Sequence, residues 1–177
     1  MNDDNIVSWS KDYRLKWSDF KAEPNPAAFE DAYSFVKYRS TWTVNSESFG
    51  RDIKFCISDI AIIPEFHRHL SWVRKQMATS DLLEHQQGHF DLAELLRYDT
   101  TKKIEEFFEN KWYPTRGQNE EQRKQFARED SGAMIAKQVE KLEAVFLKRQ
   151  QDYDEQTDFG QNAEKQDEFN TTFAQLR

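Results

Sequence analysis

The chain has 177 residues, a net charge of −7 and a hydrophobic share of only 37%. Aromatic residues nevertheless make up 14% and are spread along the chain, which excludes a disordered polymer and provides for a real core. The acidity argues against non-specific nucleic-acid binding, and no apolar run approaches the ~20 residues of a membrane span.

The start, Met1-Asn2-Asp3-Asp4-Asn5, has neither the basic nor the apolar part of a signal peptide. Leu15-Lys16-Trp17 reads as a short strand, followed by a loop through Pro24 and Pro26. From Phe35 to Val44 the pattern alternates, with Val36, Tyr38, Trp42 and Val44 on one face and Lys37, Arg39, Thr41 and Thr43 on the other. A turn is expected over Asn45 to Gly50. Ile53, Phe55 and Ile57 then share a face, and the alternation shifts phase near Ser58-Asp59, as at a bulge. Ile60 to Ile63 is a buried run, Pro64 should end it, and Phe66 to Val73 reads as an edge strand. The lone Cys56 excludes an intramolecular disulfide and reads as a buried, inert thiol.

From about Thr79 the pattern is helical, with Ser80 or Asp81 as cap, and the helix should run to about Asn110. A second helix is expected from about Gln118 to Tyr153, with Ile135, Val139, Leu142, Phe146 and Tyr153 as its stripe. Gly160 separates it from a last helix carrying Phe169, Phe173 and Leu176.

The chemistry lies in His85-Gln86-Gln87-Gly88-His89. Two histidines four apart on a helix share a face, so both imidazoles can bind one zinc ion. The protease form of this motif, H-E-x-x-H, has a glutamate that takes the proton of the zinc-bound water. Gln86 stands there instead. A third ligand is not local: Asp91 is about 200° round the helix from His89, and Glu94 about 180° from His85. Asp152, Asp154, Glu155 and Asp158 form an acidic cluster at the far end of the second helix, either a solvated loop or a carboxylate source. His67 and His69 read as surface or edge-strand residues.

Leu15 to Phe20, Leu70 to Val73 with Leu82 to Glu94, and Tyr153 to Gly160 are three segments that together resemble a largely bacterial family of predicted secreted zinc-dependent proteases. Leu15-Lys16-Trp17-Ser18-Asp19-Phe20 resembles its L-x-W-x-D-F opening. Leu70-Ser71-Trp72-Val73 and then Leu82 to Glu94 resemble S-W-V and L-L-x-H-E-Q-G-H-F-D-x-A-E. Tyr153-Asp154-Glu155-Gln156-Thr157-Asp158-Phe159-Gly160 resembles Y-D-x-x-T-x-H-G. The resemblance carries His85 and His89 over as metal ligands. It places Gln86 at the base position and Phe159 at a third-ligand position, and neither side chain can fill its role. Asp158 or Glu155 is the substitute ligand to consider.

These readings imply an α+β fold, zincin-like, in one domain over 1–177. A small antiparallel sheet (about 1–75) packs on the motif helix, and 76–177 is mainly helical. The expected function is that of a degenerate metallopeptidase that binds protein or peptide without cleaving it, with zinc weak or absent. The alternatives are a zinc hydrolase with a rebuilt site and an interaction module that binds no metal. No nucleic-acid or membrane partner is expected. The resemblance implies export, whereas the N-terminus fits a cytoplasmic chain or a trimmed mature form.

Overall fold

The computed structural model describes residues 4–177. In chain order its elements are β1 (Ile6–Ser8), β2 (Ala32–Tyr33), β3 (Val36–Phe49), β4 (Asp52–His67), β5 (Trp72–Val73), α1 (Ser80–Phe108), β6 (Tyr113–Pro114), α2 (Glu120–Thr157) and α3 (Ala163–Ala174). The main sheet has the order β1-β4-β3, with β6 also paired to β4, and β2 pairs β5 in a separate two-stranded sheet. Pairing is antiparallel, with Ile6 opposite His67 and Ala32 opposite Val73. The α+β class and the helical C-terminal half agree with the sequence reading.

The chain divides into two compact units. One takes the chain through Arg39, Ile63–Arg97 and Glu143–Arg177; the other takes Ser40–Ile62 and Tyr98–Leu142. In the first, Val7, Leu15, Phe20, Phe66 and Phe90 form a buried cluster, with Trp9, Tyr13 and Trp17 packed against it. Tyr38 donates from its hydroxyl to the Ala93 carbonyl at 2.8 Å, fixing the start of β3 on the motif part of α1. In the second, Phe55, Ile104, Phe108, Ile135 and Leu142 are buried. No helix of the described residues is long and apolar enough to cross a membrane.

β3 shows the expected alternation, but it runs to Phe49, so the turn shrinks to Gly50-Arg51, where Gly50 takes φ 67°. In β4 the burial shifts phase where expected: Phe55 and Ile57 are buried, then Ile60 and Ile62, and Asp59 between them has φ 51°. Pro64 does not end the strand, because its carbonyl still accepts from the Trp9 amide at 2.9 Å. Leu15-Lys16-Trp17 is not a strand; a 3-10 turn covers Trp17–Asp19, with Asp19 Oδ2 accepting from the Lys16 amide. The expected strand over Phe66 to Val73 is interrupted by a 3-10 turn at Arg68–Leu70. Thr79 caps α1, its hydroxyl accepting from the Leu82 amide at 3.2 Å. Cys56 is half-buried rather than buried.

Candidate metal centre

Every residue from His85 to Glu94 is buried. The motif is therefore no amphipathic stripe: this part of α1 is covered all round, and each of its polar side chains must find a partner inside the protein. Where those partners lie divides the motif into three parts.

Gln87 and Asp91 serve the N-terminal segment. Gln87 Oε1 accepts from the Leu15 amide at 2.7 Å, and its Nε2 donates to Asp91 Oδ1 at 3.0 Å. Asp91, 2% exposed, also accepts from Trp9 Nε1 at 2.9 Å and from Arg177 Nη2 at 2.7 Å. These residues tie α1 to the N-terminal segment and to Arg177.

Gln86 faces the segment just before β3. Its Oε1 accepts from Ser34 Oγ at 2.7 Å, and the same hydroxyl lies 3.3 Å from the Gln86 carbonyl oxygen. Position 86, where the resemblance leads one to expect a base, thus holds a buried amide with its oxygen already engaged.

His85 and His89 turn to α2 and α3. His85 Nε2 lies 3.0 Å from Asp154 Oδ1, and His89 Nε2 lies 2.9 Å from the same oxygen. The three donor atoms lie within 4.8 Å of one another. On the far side of each ring is a glutamine oxygen: Gln166 Oε1 at 2.9 Å from His85 Nδ1, and Gln150 Oε1 at 3.1 Å from His89 Nδ1. The orientation of the Gln166 amide is set by its own donations, Nε2 to Asn170 Oδ1 at 2.9 Å and to Tyr153 Oη at 2.8 Å. Tyr153 stacks on His85, centroids 4.6 Å apart and planes 10° apart, and its hydroxyl donates to the His85 carbonyl.

The electrostatics follow from burial and these contacts. Burial pushes the His85 imidazole below its ordinary pKa, and His89 adds to this against the hydrogen bonds to Asp154 and Gln166. Burial pushes the Asp154 carboxyl up, but the two imidazoles outweigh it and hold the group well below the usual carboxylate range. It is an anion at neutral pH, near the C-terminal end of α2, where the helix dipole gives it no help.

Of the residues singled out from sequence, His85 and His89 come together. Asp158 is exposed and Glu155 is exposed, and neither joins the group. Phe159 packs its ring on Phe29, centroids 5.5 Å apart, and lines a cleft of 410 Å³ that also borders Gln166. His67 packs on Phe35 and His69 is exposed, both apart from the group. The residue that sequence reasoning left unresolved within the acidic cluster is Asp154. Gln150 and Gln166 gave no signal in the sequence.

A signal for Asp154 did exist. Tyr153, Asp154, Thr157 and Gly160, the matching letters of the C-terminal segment, all lie at His85. Tyr153 stacks on it and Asp154 bonds it. Thr157 Oγ1 lies 3.4 Å from its Nδ1, and a Cβ added at Gly160 would sit 2.8 Å from its Cβ. Asp158, Phe159 and Gly160 take φ of 49°, 52° and 87°, so the chain bends sharply after α2 to bring Gly160 onto the ring.

Compared with protein-family models, curated proteins and solved structures, the chain has no significant match.

Proposed function

We propose that this chain is a metalloprotease-like protein that holds a zinc-class divalent ion at His85, His89 and Asp154 and does not cleave peptide bonds. The observation that carries this is a meeting of acceptors. Each Nδ1 has a glutamine oxygen beside it, an acceptor for the proton of the Nδ1–H tautomer. Both Nε2 lone pairs then aim at one carboxylate oxygen, which donates nothing. In that tautomer three acceptors meet at this separation, which a divalent cation between them satisfies and which otherwise takes a proton on one Nε2. Two imidazoles and a carboxylate are a zinc set, and three protein ligands with an open fourth position match catalytic zinc sites. The glutamines behind the rings are what orient such ligands. The zincin-like architecture and the resemblance to zinc proteases belong to the same proposal, supported by the four C-terminal residues that gather at His85.

Proteolysis requires a base for the metal-bound water. Gln86 has no useful basicity, and losing a general base costs about 10²–10⁴ in rate. What remains is a stable centre in a protein that acts by binding protein or peptide. A second reading, a zinc hydrolase with a rebuilt ligand set, is favoured by one observation: an Asp154 oxygen lies beside both imidazoles, where Phe159 has no donor atom to offer.

Zinc titration calorimetry on metal-stripped protein tests both. One equivalent should bind, and Asp154→Ala should weaken it by at least ~100-fold, beyond what loss of an outer hydrogen bond costs. Unfolded casein should survive incubation with the zinc-loaded chain. Absence of stoichiometric binding overturns the proposal; chelator-sensitive cleavage replaces it with the second reading.

A further inference from the structure

The second compact unit carries a cleft of 960 Å³, and none of the metal-centre residues lines it. All seven residues from Ser40 to Ser46 of β3 border it. One face of a strand would contribute only alternate residues; an unbroken run means that the strand's edge borders the space. β3 stands at the end of the sheet order, with β4 on one side only. Sheet edges are ordinarily blunted by lysine, proline or a bulge. Here Ser40-Thr41-Trp42-Thr43-Val44-Asn45-Ser46 carries no charge and no proline in a chain with 32% charged residues, and charges flank it at Arg39 and Glu47. The Trp42 ring is fixed by a 2.9 Å bond from its Nε1 to Ser131 Oγ and by packing against Gly132.

The opposite wall is the start of α2. It presents Glu120, Arg123, Lys124 and Arg128. Lys124 pairs with Glu120, but among the described residues neither guanidinium has an ion-pair partner. In a protein of net charge −7, two free arginines beside an unprotected strand edge select for an occupant that is extended and acidic.

We propose that β3 and α2 form a docking groove for an extended acidic peptide, which adds as a strand to the edge of Ser40–Ser46 and places its carboxylates on Arg123 and Arg128. Such a segment pairs over about 23 Å, seven residues at ~3.3 Å each. A second copy of this chain is a poor occupant, because edge-to-edge pairing brings two like basic walls together. Nucleic acid is disfavoured by the overall charge. The inference gives a place to the binding role proposed above, and because it uses other residues it stands or falls apart from the metal.

The test is fluorescence anisotropy on the full chain with a labelled nine-residue peptide of alternating valine and glutamate. The comparison probes are its valine–lysine counterpart, a valine–glutamate peptide with proline at its centre, and a labelled oligothymidylate. Saturable binding of the first probe, at least tenfold tighter than any other, is expected. Arg123→Gln/Arg128→Gln should weaken it about tenfold or more while leaving the zinc titration unchanged. Hydrogen exchange should show new amide protection within Ser40–Ser46. If the double variant misfolds, by its circular dichroism, Arg128→Gln alone carries the test. Absence of binding at about 1 mM peptide, equal binding of the lysine or proline probe, tighter binding of the oligothymidylate, or protection elsewhere than Ser40–Ser46 overturns the proposal. Loss of zinc binding with peptide binding intact would refute the metal centre alone.

Discussion

Gly88→Ala sets helix propensity against packing, and the two predict opposite signs. Gly88 lies inside α1, where alanine should stabilise by about 1 kcal/mol. In this protein a Cβ at position 88 would fall 2.0 Å from Tyr153 Oη and 2.7 Å from Tyr153 Cζ. Tyr153 is 1% exposed and cannot swing into solvent. Its ring stacks on His85, and its hydroxyl bonds the His85 carbonyl and Gln166. Overpacking of this kind costs about 1–3 kcal/mol, and each of the two hydroxyl bonds lost adds about 1 kcal/mol. Against the helix gain the net is a destabilisation of about 2–4 kcal/mol, a fall in Tm of roughly 4–16 °C for a chain of this size. Urea unfolding of the metal-free protein measures it. Zinc affinity should fall in parallel, because the displaced ring is the one lying on His85. Stabilisation by about 1 kcal/mol, with zinc binding untouched, would refute the packing of α2 on the motif helix.

Asp91→Ala should be among the most damaging single changes and should act on stability alone. It leaves Trp9, Gln87 and Arg177 facing a hole and one guanidinium without its buried anion, a loss of about 3–5 kcal/mol readable by urea unfolding. Gln166→Leu should lower zinc affinity about 10–100-fold by freeing His85 Nδ1, with calorimetry as the check; an unchanged affinity would deny this glutamine any part in orienting the ring. Gly160→Ala combines a left-handed backbone with a Cβ 2.8 Å from His85 Cβ. It should cost about 2–4 kcal/mol and disturb the His85 imidazole signals in NMR spectra, whereas Gly50→Ala, with open space around it, should cost only its backbone strain of about 1–2 kcal/mol.

The sequence by itself determined the class of fold and pointed to two histidines of the candidate centre. Alternation over Val36 to Val44 specifies a strand with two unlike faces, because side chains on a pleated backbone must point to opposite sides. The phase shift at Ser58-Asp59 was legible for the same reason, since one extra residue moves every later side chain to the other face. The spacing of His85 and His89 needs only helix geometry to bring two imidazoles together. Strand ends were less legible. Pro64 stays in β4 and Leu15-Lys16-Trp17 does not join a sheet, because both outcomes depend on which distant backbone group is there to pair.

Only the tertiary structure decided what completes the centre. Asp154, Gln150 and Gln166 lie more than sixty residues from their histidines, and no local rule separates Asp154 from its acidic neighbours. The pitch of α2 turns Asp154 toward α1 and leaves Glu155 outward, and the bend through Gly160 carries α3 and Gln166 back to His85. The C-terminal letters that match, Tyr153, Asp154, Thr157 and Gly160, could be read from the sequence as a pattern. Tyr153, Asp154 and Thr157 reach one imidazole from the face of α2, whereas Gly160 reaches it, and Phe159 turns to Phe29, only after a left-handed bend that linear spacing does not encode.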